Sequence, residues 1–508
     1  MRLPRLILAA LLVAAVAAAH ASPSLAQYPV KPDVVSVGGA APVAPIPVGF
    51  LGLSFEYQSA ATYAGGSPTT IDPVFEQLVR NLNPGGSPVL RVGGDSTDHT
   101  WWPTKGVADS PGLTYPLTSN WISTMATLAD QLGANLLLGI NMEANNPKLA
   151  AAEADGLVNG IGSSHVQALE LGNEPELYGS FPWYTTTKGK AVPGRAGKWT
   201  FSRYLADYAR IRAALPDVPL AGPDLGTPSW MGGLSTLLKQ EPRIGEVTFH
   251  RYPEDRCYAS PGTSAYASVP NLLSATASRG LAATIEPYAA VARAHGDGFR
   301  VDEMNSVACA GKAGVSNTFA SALWILDTLF AMADEGATGV NIHTFPSASY
   351  RLFNFSRPDG QWSATVAPEY YGLQLFTQAA PPGSRLLKVT ATADTALRAW
   401  ATADSAATTR VVLINDSTSQ THDVEVRRSG SGSPAVVERL AAPSAYATSG
   451  VTLAGLSYGT TTTGVLAGTP QVAQVDSTSS GYPVTLPPAS AALLTIPAAS
   501  TGASVRAR

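Results

Sequence analysis

Leu169-Glu170-Leu171-Gly172-Asn173-Glu174-Pro175-Glu176 begins as a strand and ends as a turn carrying a carboxylate. The small and apolar residues from Val166 to Leu171 predict a strand buried on both faces, and Gly172 stops it abruptly. In a parallel sheet the first polar positions after such a strand lie at its carboxyl edge, where α/β barrels gather their catalytic groups. Pro175 removes a backbone donor and fixes φ, which stiffens the turn. Taken alone, Glu174 reads equally well as a helix cap or a solvated loop residue. The chain on either side decides between these readings.

From Gly52 onward, short apolar strands alternate with segments of helical periodicity. Strands are predicted at Leu51 to Phe55, Val89 to Val92, Asn135 to Ile140, Val166 to Leu171, Leu220 to Gly222, Glu246 to His250, Phe299 to Asp302 and Gly339 to His343. The intervening helices include Pro73 to Leu82, Asn120 to Leu132, Lys148 to Val158, Phe201 to Ala214 and the strongly apolar Phe319 to Ala333. This alternation fits a (β/α)8 TIM barrel, which takes about 250 residues plus loop insertions. An open doubly wound sheet is the alternative; it normally carries a glycine-rich phosphate loop after its first strand, where this chain has Glu56-Tyr57-Gln58. After Tyr371 the composition shifts to Ala, Thr, Ser, Val and Gly, and short alternating strands recur at 387–391, 397–400, 409–414, 423–427 and 491–496, the pattern of an antiparallel β-sandwich. The expected organisation is therefore a signal peptide (1–26), an extended segment adding strands to the sandwich (27–48), the barrel (49–378), the sandwich (379–499) and a disordered tail (500–508). Residues 428–434, rich in Ser and Gly, read as a flexible loop.

Composition narrows the function. Of 508 residues, 45% are hydrophobic and only 14% charged, with a net charge of −4, so sizeable cores are available and no basic surface offers itself to nucleic acid. Arg2 and Arg5 precede an apolar run from Leu6 to Ala19 and small residues up to Ala26, a secretory signal; after its cleavage no later segment is apolar enough for a membrane span. Cys257 and Cys309 are the two cysteines, and in an oxidising compartment a single disulfide between them is the simple expectation, with two buried thiols as the alternative. Neither zinc-type Cys/His spacing nor His-Glu-x-x-His occurs, so no metal or other cofactor is expected, and the exported protein is expected to be a monomer.

In the barrel reading, Glu56, Arg91, Asp98, Asn173, Glu174, His250, Tyr252, Glu303 and His343 all fall at carboxyl ends of strands and face one pocket. Glu174 after strand four and Glu303 after strand seven oppose each other across the mouth. Two opposed carboxylates serve glycoside hydrolysis, one protonating the leaving oxygen while the other attacks the anomeric carbon or activates water. Asp95, Glu170 and Glu176 read as structural or solvated. Leu90-Arg91-Val92-Gly93-Gly94 with Asp98, the Gly172-Asn173-Glu174-Pro175 turn, Glu303-Met304-Asn305-Ser306 and Tyr370-Tyr371-Gly372-Leu373 together resemble glycoside hydrolase family 79, within the clan A retaining glycosidases. The resemblance runs from about Gly49 through the C-terminal domain.

That resemblance implies a barrel joined to a β-sandwich, β-glucuronidase or heparanase-like activity, Glu174 as acid/base and Glu303 as nucleophile. It places Asn173 at the sugar 2-hydroxyl, with Glu56 and Asp98 accepting from other sugar hydroxyls. Arg91 and Tyr252 are positioned to donate to Glu303 and keep it ionised. Glucuronide-cleaving relatives carry a tyrosine followed by glycines just after the nucleophile, to bind the uronate carboxylate; here that segment is Val307-Ala308-Cys309-Ala310-Gly311. Tyr350 matches a second tyrosine near that pocket, and Lys312 or the backbone amides of the Cys309 loop offer substitutes. A Cys257–Cys309 bridge would pin the loops after strands six and seven together. The leading expectation is a retaining exo-β-glucuronidase, the long loop from Tyr178 to Lys198 walling the site. The alternatives are a neutral-sugar β-glycosidase, an endo-acting heparanase-like hydrolase and a non-catalytic carbohydrate-binding protein.

Overall fold

The computed structural model describes residues 32–498 except 108–109, 393–395 and 430–431. The expected signal peptide, the C-terminal tail and the centre of the 428–434 loop lie outside the described residues. Eight parallel strands close a barrel in chain order: Leu51–Glu56, Val89–Gly93, Asn135–Ile140, Val166–Leu171, Leu220–Leu225, Ile244–Arg251, Gly298–Met304 and Gly339–His343. The eighth pairs with the first, Val340 opposite Leu51 and His343 opposite Ser54.

Local chemistry starts the surrounding helices where the periodicity puts them. Asp72 accepts from Val74 N (2.8 Å) ahead of Pro73, Thr118 from Trp121 N (3.1 Å) and Asn146 from Lys148 N (3.1 Å), each relieving an N-terminal donor that the helix cannot satisfy itself. Inside the barrel a lower polar layer is built on Arg300, which donates to Asn341 Oδ1 (2.9 Å) and Glu246 Oε1 (3.0 Å). Gly339 leaves the space for it: a Cβ there would come within 2.2 Å of the Arg300 guanidinium carbon.

Strand five departs from the expectation. It continues through Pro223 to Leu225, although a proline inside an apolar run reads as a strand end. That extension carries Asp224 into the barrel mouth.

The second domain is a sheet ordered 452–453, 435–441, 490–496, 409–415, 397–403, 385–391, 33–40, 422–428 and 482–486, antiparallel except that Asp33–Ala40 runs parallel to His422–Arg428. Its two ends curl over one apolar core that includes Val35, Leu413, Val426, Val484 and Leu494. Strands 435–441 and 482–486 escape a reading by alternation. The first carries Glu438-Arg439 at its centre and the second Pro483, which is tolerated because that strand lies at the sheet's edge.

The helix Phe319–Asp334 joins the two domains, and its apolar circumference follows from that position. Phe330 stacks on Trp400 of the sandwich at 5.8 Å, and Asp327 accepts from Trp400 Nε1 at 2.6 Å.

Candidate active site

Arg91 on strand two is fully buried beneath the barrel mouth. Its Nε lies 2.9 Å from both Glu170 Oε2 and Asp302 Oδ2, one terminal nitrogen donates to Glu303 Oε2 (2.6 Å), and the other to Asn173 Oδ1 (3.1 Å) and Asp224 Oδ1 (3.0 Å). Burial alone would weigh against the guanidinium charge, but Asp224, Asp302, Glu170 and Glu303 more than offset it. A sequence reading can find Arg91; it cannot see that four carboxylates converge on it.

The carboxylates are not equivalent. Burial opposes ionisation of Glu303, yet His343, His250 and Arg91 hold its carboxyl well below the ordinary range, and the Tyr252 hydroxyl donates to Oε1 at 2.9 Å. Asp224 is likewise held low: burial works against it, and Arg91 and His250 prevail. Burial pushes Asp302 the other way, well above its usual range, and lifts Glu170 to about 7. The network thus favours negative charge on Glu303 and Asp224 and disfavours it on Asp302.

His250 bridges this floor to the opposite wall. Its Nε2 is 2.5 Å from Asp224 Oδ1 and its Nδ1 is 3.0 Å from Glu174 Oε1. Burial would lower its pKa, but Asp224 and Glu303 raise it well above the imidazole norm, so the ring carries charge. Glu174 itself stands on a left-handed turn, φ 49°, following Gly172 at φ 83°, and its amide donates to the Asp224 carbonyl at 2.9 Å. Gly172 is required there twice over, by its backbone and because a Cβ would lie 2.1 Å from the Tyr178 hydroxyl. Carboxylate oxygens of Glu174 and Glu303 lie within 4.8 Å of each other, and Glu174 is the more open, its side chain 26% exposed against 10%.

The remaining expected residues divide. His343 receives or donates at Ser54 Oγ (2.9 Å) and lies 3.7 Å from Glu303 and 3.6 Å from Glu56, whose Oε2 accepts from Ser96 N (2.8 Å). The Tyr350 ring packs 6.2 Å from those of Tyr252 and His343. Asp98 does not stand as the free sugar acceptor that was expected. Oδ1 already accepts from Met142 N and Glu143 N (2.9 and 3.0 Å), and Oδ2 from Asn173 N and Tyr178 Oη (3.0 and 2.7 Å). A carboxylate with those four donors braces the Asn173-Glu174 turn.

Asp95, read in the sequence as structural or solvated, is the exposed carboxylate of this segment. It accepts from Asn173 Nδ2 at 3.5 Å, and its enclosure by protein together with Glu56, Glu174 and Glu303 pushes it up to about 7. Only the 3-10 turn over Asp95–His99 decides which of the two aspartates faces inward. Glu170 is structural, at the Arg91 contact, and so is Glu176, which accepts from Thr227 N at 2.5 Å.

At the rim, Cys257 and Cys309 form a disulfide that joins the loops after strands six and seven, beside the parallel pairing of Glu254–Asp255 with Val307–Ala308. Lys312 is committed elsewhere: its Nζ donates to Ala267 O (2.7 Å) over the Tyr266 ring. Cys309, Ala310 and Gly311 run through three successive left-handed conformations, φ 63°, 66° and 75°, against Tyr350. Phe181 and Tyr258, both exposed, meet edge to face at 6.1 Å between the loops after strands four and six.

A closed parallel barrel with an acid pair opposed at its carboxyl rim, joined to a β-rich domain, defines a glycoside hydrolase. Residues 399–493 match the C-terminal beta domain of glycosyl hydrolase family 79. A β-glucuronidase of Neurospora crassa is 25% identical over 430 residues, covering 75% of this chain and 74% of that protein. Among solved structures, a 4-O-α-L-rhamnosyl-β-D-glucuronidase from Fusarium oxysporum 12S superposes with a TM-score of 0.70 at 21% identity, over 91% of this chain and all of that one. A GH51 arabinofuranosidase from Xanthomonas axonopodis pv. citri has the same fold at a TM-score of 0.64 and 15% identity, over 91% of this chain and 100% of its own. These similarities mark the chain as a β-glucuronidase-like glycosidase whose C-terminal domain resembles that of glycoside hydrolase family 79.

Proposed function

We propose that this protein is a secreted, retaining exo-β-glucuronidase working by double displacement, with Glu303 as nucleophile and Glu174 as acid/base. The observation that carries the reading is the contrast between the two carboxylates across less than 4.8 Å. Glu303 is held ionised by Arg91 and Tyr252, whereas Glu174 is solvent-accessible on the facing wall. Retaining enzymes set their carboxyl groups about 5–5.5 Å apart; inverting ones leave about 6.5–9.5 Å for a water.

In the first step Glu303 attacks the anomeric carbon while Glu174 gives its proton to the leaving oxygen. Once Glu303 is esterified its charge is gone, and Glu174, now anionic beside His250, takes a proton from the incoming water. Asn173, oriented by Arg91 through Oδ1, donates from Nδ2 to the sugar 2-hydroxyl beside its long contact to Asp95, and Glu56 and Asp95 accept from the other hydroxyls. For the uronate carboxylate, the left-handed Cys309-Ala310-Gly311 turn and Tyr350 supply a concave, donor-bearing wall. The similarity to the Neurospora β-glucuronidase favours glucuronate over a neutral sugar.

The test is hydrolysis of p-nitrophenyl β-glucuronide beside the glucoside, galactoside and xyloside, with the anomer first released followed by NMR. Release from the glucuronide with the β-anomer appearing first is expected. A neutral-sugar preference would reject the uronate assignment, and α-anomer release would reject retention.

A further inference from the structure

A second concavity, of about 590 Å³, lies between the barrel and the sandwich. It is lined by the loops after strands seven and eight through Asn317, Ser349 and Arg351, by the hairpin of Phe353–Ser356 and Ser363–Val366, and by sandwich residues from Thr448 to Thr460. The sandwich segment is tied to the barrel at several points. Phe319 N and Ala320 N donate to the carbonyls of Ala447 (2.8 Å) and Ala445 (2.9 Å), Tyr458 N donates to the Tyr371 hydroxyl (2.8 Å), and Thr460-Thr461 pairs with Thr365 and Ala364. The cavity is therefore preformed, and its volume lies in the roughly 300–1,000 Å³ range of small-ligand sites.

Its chemistry is the reverse of the catalytic pocket's. No carboxylate lines it, Arg351 is its one charged lining residue, and the other polar lining groups are hydroxyls and amides such as Asn354, Tyr371 and Ser457. Arg351 is exposed, donates to the Ala348 carbonyl at 3.3 Å, and forms no ion pair with a described carboxylate. A guanidinium presents five N–H groups in a plane matched to carboxylate or sulfate oxygens, and hydroxyls and amides match a sugar's own hydroxyls. The cavity also adjoins the catalytic pocket: Tyr350, between the lining residues Ser349 and Arg351, turns its ring to Tyr252 and His343.

We propose that this cleft is a second, non-catalytic carbohydrate site that binds an anionic sugar unit, uronate or sulfated, through Arg351. It rests on the glycosidase reading above in one respect, that the ligand is another unit of the saccharide being trimmed.

The experiment is calorimetric titration of the Glu303→Gln protein with a tetrasaccharide of alternating β-glucuronate and N-acetylhexosamine, and with cellotetraose as the neutral control. Arg351→Gln should weaken the acidic tetrasaccharide at least tenfold and leave cellotetraose unchanged, and Ser457→Trp, which fills the cleft, should abolish the same binding. With Glu303 intact, Arg351→Gln should raise KM for the acidic tetrasaccharide several-fold and leave p-nitrophenyl β-glucuronide kinetics unaltered. Unchanged affinity in both variants overturns the site. Loss with Ser457→Trp alone overturns the anionic preference. Failure to cleave any glucuronide would overturn the function proposed above, while the titration still decides the cleft.

Discussion

The barrel mouth and the sandwich core bury their residues by opposite rules. Around Arg91, four carboxylates and an imidazole lie out of water and are tolerable only because each charge has a partner within about 3 Å. In the sandwich, Val35, Leu413, Val426 and Leu494 pack with no polar partner to satisfy. The first arrangement specifies protonation states; the second supplies stability that scales with apolar area. A change in the mouth should therefore register first in chemistry, and a change in the sandwich in unfolding alone.

The sharpest test of that contrast is Glu303→Gln, which should cut turnover by about 10³-fold or more while the unfolding temperature stays within a few degrees, measured by initial rates and calorimetry. Arg91→Met should be the exception that joins both readouts. Removing the shared cation strands its carboxylates, so a loss of about 3–5 kcal/mol in denaturant unfolding is expected together with loss of activity. A fully stable Arg91→Met protein would break the comparison.

Asp416 tests the other side of it. Burial beside Asp327, only partly relieved by Arg398, raises its carboxyl to about 8. A raised folded-state pKa means its contribution to stability is whole below the ordinary carboxylate range and is lost as pH climbs to about 8. The unfolding temperature should fall over that window, and Asp416→Asn, which stays neutral, should flatten the fall without altering the pH profile of glucuronide hydrolysis. A shifted activity profile in Asp416→Asn would show that the two regions are coupled. The smallest effect is expected at the rim, where Tyr258→Ala should raise KM for aryl glycosides a few-fold and leave methyl glycosides unchanged, because the exposed Phe181–Tyr258 pair offers an aromatic surface between the loops after strands four and six, the first of which carries Glu174.

Much of this was legible in the chain. The agreement of Val166–Leu171 and Gly339–His343 with their predicted limits reflects short, largely buried runs that end at a glycine or a polar residue. The N-cap residues Asp72, Thr118 and Asn146 stand where their helices begin. Strand five was cut short by Pro223, and with it Asp224 went unseen, because a proline's lost donor matters only if the neighbouring strand needs it, which sequence cannot tell.

Sequence alone determined the alternating barrel, the β-rich second domain and the two glutamates at strand carboxyl ends, since periodicity and turn chemistry are local. Which carboxylates are charged, which of Asp95 and Asp98 faces the pocket, where Lys312 is spent and how Arg351 comes to line a cleft were decided by tertiary structure. Electrostatic energies depend on separations of about 3–4 Å between side chains that can be hundreds of residues apart, as Arg91 is from Glu303, and only the closed barrel sets those distances.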